Sequence, residues 1–290
     1  MTLGAETIPV ISSIEALGLG YAAWLVDIWG VMHDGVRAYA PAVEATKRFR
    51  ERGGIVVLLS NSPRPDESLK GQLDRLGVTR DCYDATISSG DLTRHELSKH
   101  KGARVFHLGP ERDRPIFAGL KVSLVGPEDS ELVVCTGLFD DEVETPEDYD
   151  GLLRELAARK VPMLCANPDR MVQRGDALIF CAGALAEVYG ELGGDVIYAG
   201  KPYAPIYELA FEEIAKAAGK PVPKDGILAI GDGVHTDLAG AASFGLDAVF
   251  VASGLHMAKT KGHDTLEDLF LAELFEGVAP PVAAMPELAW

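Results

Sequence analysis

The chain has 290 residues, 47% of them hydrophobic, which suits one large or two ordinary domains with a sizeable core. Against 27 lysines and arginines stand 44 aspartates and glutamates, a formal net charge of -17, so phosphate backbones and anionic lipid surfaces are repelled and neither nucleic acid nor a membrane is expected as a partner. A small phosphate ester is not excluded, because one lysine or one metal ion sets the field inside a pocket.

Cys82, Cys135, Cys165 and Cys181 form no CxxC pair and read as small core residues of a reducing compartment. No basic segment followed by a long apolar one opens the sequence, and no uncharged apolar stretch approaches the roughly 18 residues of a membrane span. The expectation is a soluble cytoplasmic protein. The histidines include no HExxH, so a histidine-built metal centre is not expected.

Residues 1 to about 20 show little regular pattern, and Gly18-Leu19-Gly20 precedes a strand, whereas a dinucleotide fingerprint follows one. Trp24-Leu25-Val26-Asp27-Ile28-Trp29-Gly30-Val31 then reads as a buried strand with Asp27 at its carboxyl end and a glycine that turns the chain. Ala40-Pro41 opens a helix that Gly53-Gly54 ends. Ile55 to Ser60 is a second buried strand, stopping at Ser60-Asn61-Ser62-Pro63, and Asp66 to Leu76 a second helix. Such alternation with short joints implies parallel strands and right-handed crossovers.

Through the middle, Val105–Leu108, Leu132–Cys135 and Pro162–Ala166 read as strands, and Thr145-Pro146-Glu147-Asp148 as a capped helix start with a buried stripe of Tyr149, Leu152, Leu153 and Leu156. The acidic run from Asp140 to Asp150 reads as a solvated loop and helix start. From Val196 the buried-strand pattern returns, followed by Gly200-Lys201-Pro202 and a helix from Pro205 to Ala218. Ile227–Ile230 is another buried strand, ending in Gly231-Asp232-Gly233-Val234-His235-Thr236-Asp237, and Leu246–Val251 repeats the theme. A helix is expected near Thr265 to Phe275 and a surface tail around Pro280-Pro281 and Pro286.

Four strand ends therefore carry polar residues: Asp27, Ser60 with Asn61, Lys201, and Asp232 with Asp237. In one parallel sheet they converge on one edge. Two carboxylates from different strands suit Mg²⁺, a lysine supplies a point charge for phosphate, and a serine hydroxyl with nearby N–H groups binds a phosphoryl oxygen. Plainer readings stand beside these: Lys201 as a surface turn lysine, Ser60 as the cap of its turn, and Asp237 as a helix N-terminal charge.

At these residues the chain resembles the haloacid dehalogenase superfamily, and within it the class IIA, NagD-like phosphatases. The resemblance covers nearly all of the chain after residue 20. It implies an α/β fold with a Rossmann-like parallel-sheet core, residues 1–83 with 199–290, and an inserted α/β cap domain of the C2 type, residues 84–198. It places Asp27 as the nucleophile, Ser60 and Asn61 as phosphate-binding, Lys201 as both phosphate-binding and catalytic, and Asp27, Asp232 and the backbone carbonyl of Trp29 as ligands of Mg²⁺, with Asp237 behind them. Ala166-Asn167-Pro168-Asp169 and Cys181-Ala182-Gly183-Ala184-Leu185 are similar to cap segments of that branch, which makes Asn167 and Asp169 substrate candidates beside their reading as a turn. A homodimer through the cap is the family's analogy.

The implied activity is Mg²⁺-dependent hydrolysis of a small phosphorylated metabolite, such as a sugar phosphate or nitrophenyl phosphate, through an aspartyl-phosphate on Asp27. One position departs from the pattern. Two residues after the nucleophile the family carries a second aspartate that protonates the leaving oxygen, and here Trp29 stands there. An indole N–H cannot exchange a proton near neutral pH. His33 and Asp34 are candidates to replace it, or are polar loop residues without that part. The alternative is a phosphometabolite-binding or regulatory protein that keeps the pocket without hydrolysis. Gly233 also departs from the family, which often has a larger residue there.

Overall fold

The computed structural model describes residues 8–175, 177–252, 265–266, 275 and 277–290. In chain order its elements begin β1 (Ile8–Pro9), α1 (Glu15–Gly18), β2 (Ala23–Asp27), α2 (Ala40–Glu51), β3 (Ile55–Ser60), α3 (Asp66–Leu76), β4 (Ala85–Ser88), α4 (Ser89–Leu97), β5 (Arg104–Leu108), β6 (Ser123–Leu124) and β7 (Leu132–Cys135). They continue α5 (Asp150–Ala158), β8 (Met163–Cys165), β9 (Met171–Arg174), β10 (Ala177–Phe180), α6 (Ala182–Glu191), β11 (Val196–Tyr198), α7 (Ala204–Ala218), β12 (Ile227–Gly231), α8 (Ala239–Phe244), β13 (Asp247–Val251), β14 (Thr265–Leu266) and β15 (Ala283–Met285). Two compact units result. The first takes the described residues up to Leu59, Leu73–Thr86 and those from Tyr207 on, and the second takes Ser60–Gln72 and Ile87–Ile206.

A six-stranded sheet in the order β15-β13-β12-β2-β3-β4 organises the first unit. The registered pairs β15–β13, β13–β12, β12–β2 and β2–β3 are all parallel. Every residue of β2 and β12 is buried, as expected of strands covered on both faces. Helix α2 carries Pro41 in its first turn and is closed by Gly53 at φ +88°, a left-handed turn that glycine adopts without strain. It lays Phe49 flat on Trp24, ring centroids 3.9 Å apart.

One expectation fails in this unit, and another cannot be followed through the described residues. The tract around Pro280–Pro286 is not a surface tail: Ala283–Met285 is β15, buried and paired in parallel with β13. Those three small and apolar residues are too short a run to stand out between prolines. The helix expected near Thr265–Phe275 falls largely outside the described residues, and its first two residues form β14, antiparallel to β1.

The second unit carries its own sheet, five strands in the order β11-β8-β7-β5-β6, parallel throughout, with β9 and β10 as a separate antiparallel hairpin. Alternate side chains serve opposite faces. Phe106, Val133 and Met163 pack with Leu153, Leu156, Leu185 and Tyr189 of α5 and α6, whereas Val105, Val134 and Leu164 pack with Leu97 of α4 and Ile116. Helix α4 is held by a capping box in which the Ser88 hydroxyl accepts the Asp91 N–H at 3.1 Å and the Asp91 carboxylate accepts the Ser88 N–H at 3.2 Å. The acidic run is less solvated than its composition suggests, because the half-buried Asp141 pairs its carboxylate with Arg112 and Arg174.

Burial also sets the behaviour of His107. Its Nε2 lies 2.9 Å from the Thr136 hydroxyl and its ring meets Phe117 edge-on. Desolvation, helped by the Arg114 charge, pushes its pKa down from 6.5 to about 4. The unfolded chain therefore takes up a proton there before the folded one does, and the contribution of His107 to stability is lost as pH falls from 6.5 toward about 4. Thermal melts across that window are expected to show the decline, and His107→Gln is expected to flatten it. No described helix is long and apolar enough to cross a membrane.

Candidate active site

Asp27 ends β2, where its backbone is in register with Leu59 of β3, and its side chain is buried. The neighbouring strand β12 ends at Gly231, so Asp232 leaves the sheet beside it. The chain then makes a π-helical turn, Val234–Leu238, which returns Asp237 to the same strand end. One carboxylate oxygen from each of Asp27, Asp232 and Asp237 lies within 4.8 Å of the others.

Glycines make that approach possible. A Cβ on Gly231 would stand 2.3 Å from Asp237 Cβ and Cγ, and one on Gly233 would stand 2.0 Å from Thr236 Oγ1. The departure at Gly233 thus has a steric reason in the turn itself. The Gly233 N–H donates to Asp237 Oδ2 at 3.1 Å and the Asp237 N–H to the Gly233 carbonyl at 2.8 Å, while the Tyr207 hydroxyl donates to the Asp237 carbonyl at 3.3 Å. Asp237 accordingly pins the turn as well as joining the acidic set. Gly231→Ala is expected to cost about 1–3 kcal/mol in stability through overpacking and to erase any rise in melting temperature that a divalent cation produces. Differential scanning fluorimetry with and without Mg²⁺ reads both effects.

Three carboxylates this close repel one another unless a cation sits among them, and an all-oxygen donor set suits a hard ion such as Mg²⁺ or Ca²⁺. The residues present fit such an ion.

The loop after β2 is built on Trp29. Gly30 turns at φ +96°, its N–H donates to the His33 carbonyl at 2.8 Å, and the indole meets the His33 ring edge-on. A Cβ on Gly35 would stand 2.6 Å from the indole, so the ring lies directly over that backbone. His33 is buried and its Nδ1 accepts the Gly35 N–H at 3.0 Å. Asp34 accepts the N–H groups of Val36 and Arg37 at 2.9 and 2.8 Å. Partial burial pushes its pKa up, but these donors and the Arg37 charge outweigh that and hold it below the usual carboxylate value. Such a carboxyl is a poor proton donor at neutral pH.

In the second unit, Lys201 is buried, which removes its reading as a surface lysine. The strand before it, β11, is the edge of the second sheet and only partly buried. The premise that all four polar strand ends belong to one sheet therefore fails for Lys201. Ser60 is buried and its hydroxyl accepts the Ser62 N–H at 3.1 Å, so it does cap its turn. Asn61 Nδ2 donates to Asp169 Oδ1 at 2.9 Å, and Asn61 Oδ1 accepts the Lys201 N–H at 2.8 Å. Asn167 Oδ1 accepts the Asp169 N–H at 3.1 Å, a turn of the kind Asn-Pro-Asp favours.

Two family models match the chain: haloacid dehalogenase-like hydrolase over residues 24–123 and HAD-hydrolase-like over residues 198–274. A crystal structure of a haloacid dehalogenase-like family hydrolase from Brucella suis 1330 is 44% identical, with a TM-score of 0.86, over 96% of this chain and 100% of that one. The p-nitrophenyl phosphatase from Archaeoglobus fulgidus shares the fold at 20% identity and a TM-score of 0.66, over 92% of this chain and 96% of that one. The 5'-nucleotidase YutF of Bacillus subtilis (strain 168) is 24% identical over 238 residues, 81% of this chain and 88% of that one. The family models meet the chain at the strand that ends in Asp27 and again across the turn from Asp232 to Asp237, and the Brucella likeness covers 96% of the chain. The chain belongs to the haloacid dehalogenase-like hydrolase family.

Proposed function

We propose that the protein is a Mg²⁺-dependent phosphoric monoester hydrolase acting on a small phosphorylated metabolite. The observation that carries this is the set of carboxylate oxygens of Asp27, Asp232 and Asp237 within 4.8 Å of one another at two adjoining strand ends. Phosphatase activity in family relatives, a p-nitrophenyl phosphatase and a 5'-nucleotidase among them, supports the reaction class. The division into a core of residues 1–83 with 199–290 and a cap of residues 84–198 is part of the proposal.

Asp27, Asp232 and the Trp29 carbonyl would hold the cation, with Asp237 keeping the turn and its charge in place. When bound, Mg²⁺ offsets negative charge on the phosphoryl oxygens. An Asp27 carboxylate oxygen attacks phosphorus, the P–O bond to the leaving group breaks as the new O–P bond forms, and water then cleaves the resulting aspartyl-phosphate. Lys201 contributes a fixed positive charge to the phosphoryl group, and the Ser60 hydroxyl with the N–H groups of its loop binds the remaining oxygens. Because phosphoryl transfer is loose in most analyses, positioning and charge supply much of the acceleration. Trp29 also favours a second reading, a phosphometabolite-binding protein without turnover, since the side chain that stands in the acid's position cannot move a proton.

Phosphate release from a panel of esters decides between them. With Mg²⁺ the protein is expected to release phosphate from p-nitrophenyl phosphate, and EDTA to abolish release and lower the melting temperature, with Mg²⁺ restoring both. Cation-dependent stabilisation with no release from any ester would leave the second reading standing and end the first.

A further inference from the structure

The buried carboxamide of Asn61 is fully committed inside the second unit. Its Nδ2 donates to Asp169 Oδ1 at 2.9 Å and to the Lys201 carbonyl at 3.3 Å. Its Oδ1 accepts the Lys201 N–H at 2.8 Å and the Ser89 hydroxyl at 3.3 Å. A carboxamide has two N–H donors and two acceptor lone pairs, so these four bonds spend the side chain. Whatever Asn61 offers a phosphate must come from its backbone.

The segment it holds has no slack. Gly200 stands at φ +144°, and a Cβ there would lie 2.2 Å from Ser89 Oγ, 2.5 Å from Asn61 Oδ1 and 2.9 Å from Pro168 Cδ. The chain entering Lys201 thus rests on the Asn61 amide, the first residue of α4 and the turn at 167–169. That turn is fixed in its own right: the Gly183 N–H at the start of α6 donates to the Asp169 carbonyl at 3.1 Å, and a Cβ on Gly183 would meet the Pro168 carbonyl at 2.2 Å. A carboxylate only accepts, so Asp169 also decides which end of the Asn61 amide faces it. The oxygen is left for the Lys201 N–H.

We propose that Asn61 is a positioning residue for Lys201, gripping its backbone at both N–H and carbonyl, and that Asp169 acts on the reaction through this amide and not by touching substrate. The proposal rests on the reading of Lys201 as the phosphoryl-binding lysine. It explains why an amide is needed: aspartate would keep the acceptor but set a second carboxylate against Asp169, and leucine of similar size would lose both.

The test is a cycle of Asn61→Asp, Asp169→Asn and the double variant N61D/D169N, in the parent chain and in a Lys201→Ala background. Its readouts are kcat and KM on p-nitrophenyl phosphate and on an alkyl phosphate, together with amide exchange over residues 199–203. Asn61→Asp is expected to lower kcat about 10- to 100-fold, as loss of a buried hydrogen bond to a charged group implies, by the same factor on both esters, and to speed exchange at Lys201. Asp169→Asn keeps an acceptor and is expected to cost little. The double variant, with the donor now on position 169, is expected to regain the part of the loss that comes from two facing carboxylates while the donor to the Lys201 carbonyl stays absent, and none of the changes is expected to add to Lys201→Ala.

Losses that add to Lys201→Ala, or that differ between the two esters, would overturn the relay. If Lys201→Ala leaves kcat untouched, it is the role of the lysine that falls, and exchange over 199–203 alone then judges the relay: raised in Asn61→Asp and lowered again in part in the double variant supports it, unchanged overturns it. Should Asn61→Asp fail to fold, Asp169→Ala leaves the amide in place and carries the same exchange and kcat readouts.

Discussion

Asp27→Asn is expected to slow phosphate release by at least about 10⁴-fold, the order seen when a nucleophilic side chain is removed. The change is nearly isosteric at a buried strand end, so the fold should survive it. It also removes one of three mutually repelling carboxylates, so without cation the variant should melt no lower than the parent chain. Asp232→Asn separates the two roles assigned to this site. It weakens the cation's hold but keeps the attacking oxygen, so high Mg²⁺ should recover much of its turnover and none of that of Asp27→Asn. Turnover in a folded Asp27→Asn variant would remove Asp27 from the role of nucleophile.

Trp29→Asp is expected to act in the opposite direction. General acid assistance is worth about 10²–10⁴ in rate, and it matters most where the departing oxygen is basic. Alkyl phosphates should therefore gain about 10²-fold or more, and p-nitrophenyl phosphate little. In the parent chain the same reasoning makes nitrophenyl esters the better substrates. Equal rates across leaving groups, or no gain in a folded Trp29→Asp variant, would mean that the proton already travels by another group. Asp34 is poorly suited to that part, since the N–H groups of Val36 and Arg37 keep its carboxyl ionised. Because the indole lies over Gly35 and against His33, the variant should also lose stability, and rates belong beside its melting curve.

The acidic half of the site was legible in the sequence for a local reason. Asp27 and Asp232 each follow an unbroken apolar run, and in a parallel sheet a run and its last residue together fix where a side chain emerges. Lys201 follows a run that looks the same, yet Val196–Tyr198 pairs with β8 at the edge of another sheet. Apolar content does not say which sheet a short strand joins, because that is decided by partners far away in the chain. Asn61 shows a second limit: its residue type beside Ser60 suggested phosphate, whereas its bonds run to residues 108 and 140 positions away. The same holds for Asp141, whose pairing with two arginines cannot be read from an acidic run, and for Ala283–Met285, where pairing with β13 overrides the prolines nearby.

The pairing of Ala23 with Ile227 at the middle of the six-stranded sheet has a kinetic consequence during synthesis. As the polypeptide leaves the ribosome, β3 finds both its neighbours early but β2 must wait with one flank of its backbone unsatisfied until β12 emerges, while the five-stranded sheet already has all its strands once Tyr198 is out. Vectorial folding should therefore finish the later-starting sheet first, and the waiting hydrophobic flank is where a chaperone would find the nascent protein most exposed.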